Sequence, residues 1–131
     1  MTKFVVDASA VLHLASAGIE VRGDHKLLAP TLLRSQTLSA LHEAVQRREI
    51  PSDVARDRLA RVGRIPIRLL GDAVLRRRAW DLAEQLGWAS TYNAEYIALT
   101  QLQADAFVTL DAVLARSVEG IVATASIDAL R

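Results

Sequence analysis

The sequence predicts an α/β protein, a three-layer α/β/α sandwich with a central, mostly parallel sheet, and three observations carry that expectation. Short apolar, β-branched runs alternate with segments of helical spacing along the whole chain. No stretch repeats itself and no low-complexity linker interrupts the 131 residues, so residues 1–131 are read as one domain. Two of the apolar runs, "FVVDAS" and "FVTLDA", end on an aspartate where a helix is due. In an open parallel sheet that is where strands leave the core and ligands bind.

The elements follow in order. "KFVVDAS" reads as a strand, and "SAVLHLASAG" as a helix that Gly18 stops. "KLLAPT" is a second short strand, broken at Pro30. "TLLRSQTLSALHEAVQRR" places Leu38, Leu41 and Val45 at three- and four-residue spacings, the pattern of an amphipathic helix. "PSDVARDRLARV" opens on Pro51 and Ser52, a good helix start, and runs to Gly63. "IPIRLL" is a strand that Pro66 assigns to an edge. "DAVLRRRAWDLAEQLG" is a long helix closed by Gly87, and "STYNAEYIALTQLQA" a helix with Asn93 and Glu95 at its polar start. "DAFVTLD" is a strand, "AVLARSV" a short helix and "IVATAS" a last strand.

Composition narrows the class. No uncharged apolar run approaches the roughly 18 to 20 residues that cross a bilayer, so no membrane association is expected. The apolar core of "MTKFVVDASA" is too short for a secretory signal. The chain has no cysteine, which excludes disulfides and thiolate metal sites and makes the cytoplasm the default location. Net charge is +1 but unevenly spread: residues 47–78 hold ten of the fourteen arginines against the four acids Glu49, Asp53, Asp57 and Asp72. A basic middle therefore stands against acidic flanks, a polarity suited to a polyanion, although Arg56, Arg58, Arg61 and Arg64 also suit the wet face of a helix.

The two strand-end aspartates, Asp7 and Asp111, are expected to project from neighbouring strands toward one pocket. Their mutual repulsion would be relieved by a divalent cation. Mg²⁺ or Mn²⁺ takes oxygen ligands and needs only one or two protein carboxylates beside a substrate phosphate. The competing role for each is to cap the helix that follows. Ser9, Thr91 and Thr109 could hold a metal-bound water or a scissile phosphate. Ser9 and Thr91 are equally placed to cap, while Thr109 shares a strand face with Asp111. His13, His25 and His42 lack metal-site spacing, and His13 reads as a packed side chain. No glycine-rich phosphate loop is present. Trp80 and Trp88 read as packing residues.

The succession "VVDAS", "TLLRSQTLSALHEAV" and "TYNAEYIALTQLQADAFVTLD" resembles the PIN domain, and the chain's size and layout are similar to those of VapC-type toxins of prokaryotic toxin–antitoxin pairs. The resemblance spans nearly the whole chain. It implies an Mg²⁺- or Mn²⁺-dependent endoribonuclease acting on RNA phosphodiesters, a homodimer, and a cognate antitoxin whose tail fills the acidic pocket. It also implies roles for particular residues. Asp7 matches the first acidic position and Asp111 the acidic position after the later strand. The usual glutamate of the second helix falls on Gln36, and the usual aspartate of the distal helix on Asn93.

Each amide keeps the shape of a carboxylate and loses its charge, so cation affinity should be weakened. Glu95, two residues beyond Asn93, is expected to supply a further carboxylate. Glu43, seven residues beyond Gln36 and about 10 Å down the helix axis, is too far. Asp7, Asp111 and Glu95 are thus the expected metal ligands, with Asn93 and Gln36 completing the catalytic set. Arg34, two residues before Gln36, faces elsewhere. The other readings are a degenerate PIN-like domain that binds RNA or a protein partner without cleavage, and a metal-dependent phosphatase or DNA nuclease on a related scaffold.

Overall fold

The computed structural model describes all 131 residues. Twelve elements follow one another: β1 (Thr2–Val6), α1 (Ala8–Ala17), β2 (His25–Pro30), α2 (Leu32–Gln46), α3 (Ser52–Arg64), β3 (Ile67–Leu70), α4 (Ala73–Leu86), α5 (Tyr92–Gln103), β4 (Ala106–Val108), α6 (Ala112–Ser117), β5 (Thr124–Ala125) and a closing 3₁₀ turn, Ile127–Leu130. The five strands form one sheet in the order β3-β2-β1-β4-β5, and every pairing is parallel.

β1 occupies the centre because its residues are apolar on both faces. Phe4, Val5 and Val6 are all buried, with Val5 opposite Leu28 on one side and Phe107 on the other. A strand covered on both faces reads as a continuous apolar run, and "FVV" is such a run. α1, α2 and α3 pack together, α4 packs on α5, and α5 lies against β1, β2 and β4, which gives the three-layer α/β/α arrangement. One cluster of 25 buried apolar residues joins the layers, and α5 contributes Tyr96, Ile97, Ala98 and Leu99 to it.

The order of strands positions the site. The chain steps outward from β1 to β2 to β3, then returns to lay β4 on the other side of β1. At such a reversal the loops leaving two adjacent strands diverge and open a crevice at their carboxyl ends. Asp7 follows β1 directly, and Thr109 to Asp111 follow β4.

Pro66 precedes β3, which is an edge strand as expected, and Pro30 ends β2. Two local readings are corrected. Gly63 does not stop α3, which continues through it to Arg64. The glycine meets no neighbour there, and Arg61 and Arg64 favour the helix's negative end. Trp80 is not a packing residue: it is 65 % exposed, its indole N–H donating to Glu84 one turn on. Trp88 does pack against the core. No helix is long and apolar enough to cross a membrane.

Candidate functional site

At the carboxyl end of β1 a cleft of about 520 Å³ is walled by three segments distant in sequence. The β1–α1 junction supplies Asp7, Ala8 and Ser9; α2 supplies Leu32, Ser35, Gln36, Ser39 and Glu43; α5 supplies Tyr92, Asn93 and Tyr96.

Asp7 is the buried acid of this cleft, with 9 % relative exposure. It leaves β1 in extended conformation and caps α1, its Oδ1 accepting from the Ala10 N–H at 3.0 Å and from the Ser9 hydroxyl at 2.6 Å. Oδ2 accepts from the Thr109 hydroxyl. The two hydroxyls tie the strand ends together: Ser9 Oγ also accepts from the Leu110 N–H at 2.9 Å, and Thr109 Oγ1 from the Asp111 N–H at 3.1 Å. The carboxylate that ends "FVVD" is therefore both a helix cap and the acceptor that joins β1 to the β4 loop. Charge-assisted bonds of this kind are stronger than neutral ones.

Asp111 stands beside this network through its backbone, but its carboxylate does not line the cleft. It is exposed and caps α6, with Oδ1 accepting from the Val113 and Leu114 N–H groups at 3.0 and 3.1 Å.

Gln36 and Asn93 both face the cleft from opposite walls. The Tyr96 hydroxyl donates to Gln36 Oε1 at 2.6 Å, bridging α5 to α2. Burial pushes that phenol above its ordinary range, with Asp7 and Glu95 adding to the effect, so it remains a donor. Tyr96→Phe should therefore cost about 1 kcal/mol of stability, readable as a fall in the urea midpoint without change in slope.

Glu95 is not among the residues that line the cleft. Two residues along a helix turn the side chain through about 200°, so Glu95 points away from the face that Asn93 and Tyr96 share at i and i+3. Partial burial raises its carboxyl above the usual range, opposed by Arg76 on α4. Its ionised form is disfavoured in the folded protein. This contribution is absent below the unfolded pKa and weakens stability as pH rises through the folded one. Glu95→Gln is thus expected to raise the melting temperature slightly near about pH 7 and leave it unchanged near about pH 3.

Glu43 lines the cleft as Asp7 does, at i+7 from Gln36 and so on the same helix face. Its carboxylate accepts from the Ser39 hydroxyl at 2.6 Å and lies 3.8 Å from Arg47. The i, i+3, i+7 spacing of Gln36, Ser39 and Glu43 was the available signal for this wall. Thr91 does not line the cleft and makes no capping bond; Ser90 Oγ instead accepts from the Tyr92 N–H. His13, expected to pack, is exposed.

No three His, Cys, Asp or Glu side chains gather into a group able to hold a metal ion. Asp7, Asp111 and Glu95, the expected ligands, are accordingly not gathered into one group, and of the three only Asp7 lines the cleft. Both oxygens of Asp7 accept from protein donors, one oxygen of Asp111 does so twice, and the Gln36 oxygen accepts from Tyr96. Hydrogen-bonded oxygens keep a second lone pair, and ligating carboxylates are commonly held by such bonds, so Asp7 with the amide oxygens of Gln36 and Asn93 is a donor set suited to one hard cation.

Parallel sheet, strand reversal and the cleft beside the central strand define a PIN-like fold. Two solved structures share it. PAE2754 from Pyrobaculum aerophilum superposes with a TM-score of 0.75 at 23 % identity, over 98 % of this chain and 92 % of that one. VapBC2 from Rickettsia felis bound to a DNA fragment from their promoter gives 0.63 at 8 % identity, over 95 % of this chain and 98 % of that one. No family model and no curated protein matches the sequence.

Proposed function

We propose that this protein is the toxin component of a toxin–antitoxin pair, an endoribonuclease that hydrolyses RNA phosphodiesters at the Asp7 cleft with Mg²⁺ or Mn²⁺. The observation that carries the reading is the placement of Asp7: a buried carboxylate at the end of the central strand, beside the strand reversal, in a fold shared with VapBC2. Asp7, with the amide oxygens of Gln36 and Asn93, would hold the ion together with oxygens of the RNA phosphate, one or two carboxylates being enough for Mg²⁺, and the ion would supply charge stabilisation at the phosphodiester. The protein's own contribution is positional. Ser9 and Thr109 fix the Asp7 carboxylate, and Tyr96 fixes the amide of Gln36 across the cleft. A cognate antitoxin and a second copy of the chain are the protein partners of this reading, and the cytoplasm its location.

The experiment is an assay of the purified protein on mixed RNA, in Mn²⁺ and in chelator, beside an Asp7→Asn variant. Cutting that needs the metal and disappears in the variant supports the enzyme.

A second reading is favoured by Gln36 and Asn93, neutral groups on the two walls that face Asp7, and by the missing three-acid group. In it the cleft binds RNA or a protein partner without cleavage. Binding that survives chelator, with no cutting in either condition, selects it.

A further inference from the structure

No Lys, Arg or His lines the Asp7 cleft; its charged groups are the carboxylates of Asp7 and Glu43, and its other polar groups are hydroxyls and amides. The cations that ordinarily draw a phosphate backbone to a protein surface are thus absent from these walls, and attraction to the backbone cannot by itself seat RNA there. Another group in the cleft must favour the strand, and Tyr92 has that capacity.

Tyr92 opens α5 and is 57 % exposed, whereas the other aromatic side chains, Trp80 apart, are buried or packed against the core. Its ring pairs with no other aromatic side chain. Helical side chains lean toward the N-terminus, so at the first turn of α5 the ring reaches past the helix end. Tyr96, one turn on and on the same face, is buried and bonded to Gln36, so it belongs to the floor of the cleft and Tyr92 to its rim. Ser90 Oγ accepts from the Tyr92 N–H at 3.2 Å and steadies the backbone that carries the ring. A tyrosine has two side-chain torsions, so it loses little freedom when something settles on it. Trp80, the other exposed ring, is on α4 and does not line the cleft.

An exposed ring on an anchored backbone, beside neutral amides, suits a nucleobase: bases stack on aromatic faces while polar side chains bond their edges. Asn93, next to Tyr92 on the wall, keeps two amide N–H groups to donate even where its oxygen meets a cation. In a duplex the faces of each base are covered by its neighbours, so this ring can take a base only where the strand is unpaired.

We propose that Tyr92 stacks on an unpaired nucleobase beside the phosphate held at Asp7, and so confines the substrate to single-stranded nucleotides. The proposal rests on the endoribonuclease reading in placing RNA at this cleft. Its test separates the two, because binding is read apart from cutting.

The probe is a short, mixed-sequence oligoribonucleotide with a fluorescent label, as a single strand and annealed to its complement, titrated with the full chain in chelator and followed by anisotropy. The single strand is expected to bind more tightly than the duplex, and Tyr92→Ala to weaken it by about tenfold. Tyr92→Phe, which keeps the ring face, should retain the affinity. The replaced side chain is exposed, so folding should be intact, as circular dichroism would verify. In Mn²⁺, Tyr92→Ala should raise the KM for cutting by a similar factor and spare kcat, the mark of binding lost equally from ground and transition states. Single-strand affinity untouched in Tyr92→Ala overturns the proposal and leaves the ring to a protein partner. Tyr92→Phe as weak as Tyr92→Ala, a duplex bound as tightly as the single strand, or no binding of either at about 1 mM overturns it too. If the natural sequence never cuts but the single-strand preference is present and Tyr92→Ala removes it, the stacking role stands and the endoribonuclease reading falls.

Discussion

Replacing Asp7 by alanine is expected to lower the unfolding free energy by about 2–4 kcal/mol, the larger of two effects that the cleft geometry predicts. The side chain is buried and accepts from three donors. Loss of the cap on α1 accounts for about 1 kcal/mol. The rest comes from the Ser9 and Thr109 hydroxyls, which lose their acceptor in a part-buried setting. For a chain of this size the melting temperature should fall by roughly 5–15 °C. Asp7→Ser separates structure from chemistry, because serine caps a helix nearly as well as aspartate but carries no charge. It should recover about 1 kcal/mol of the loss while metal-dependent RNA cutting remains absent. Thermal unfolding by circular dichroism reads the first part. A fall below about 1 kcal/mol for the alanine variant would mean that the network does not hold the two strand ends together.

Restoring charge to the cleft should have the opposite sign on metal affinity. In the Gln36→Glu/Asn93→Asp double variant, two carboxylates would face Asp7 from α2 and α5, the walls that now present amides. The new Glu oxygen would accept from the Tyr96 hydroxyl as the Gln36 oxygen does, so the geometry should be kept. Mn²⁺ binding is expected to tighten by about tenfold or more. Without the cation, repulsion among three nearby acids should lower stability by about 1 kcal/mol or more. The signature is a thermal shift on adding Mn²⁺ that is larger in the double variant than in the natural sequence. Equal shifts would show that the amides do not limit cation binding.

Much of the fold was legible because the strands announce themselves. "FVV" is apolar on both faces and ends on a charge, which is what a central parallel strand must do where it leaves the core. Pro66 marked the edge because a residue without an N–H cannot serve an interior ladder. The walls of the cleft were harder to read. Tyr96 and Gln36 meet across 60 residues of sequence, and Asp7 and Thr109 across 102.

Helix rotation decided the rest. Distance along the axis favoured Glu95 over Glu43, but a two-residue step turns a side chain to the far side of a helix, while a seven-residue step brings it back to the same face. Asp7 and Asp111 both proved to be caps, and for Asp7 the capping role and the site role coincide in one carboxylate. Trp80 misled because aromatic residues are usually packed, whereas here the indole lies on the outer face of α4.

The most direct test of the Asp7 cleft as a metal-dependent RNA site is a Mn²⁺ titration followed by electron paramagnetic resonance, with free ion counted in the presence and absence of a short RNA. Uptake by the natural sequence is predicted to require the RNA, and Asp7→Asn is predicted to abolish it. Uptake that persists unchanged in Asp7→Asn, or none from the natural sequence even with RNA present, would contradict a cation shared between that carboxylate and the substrate.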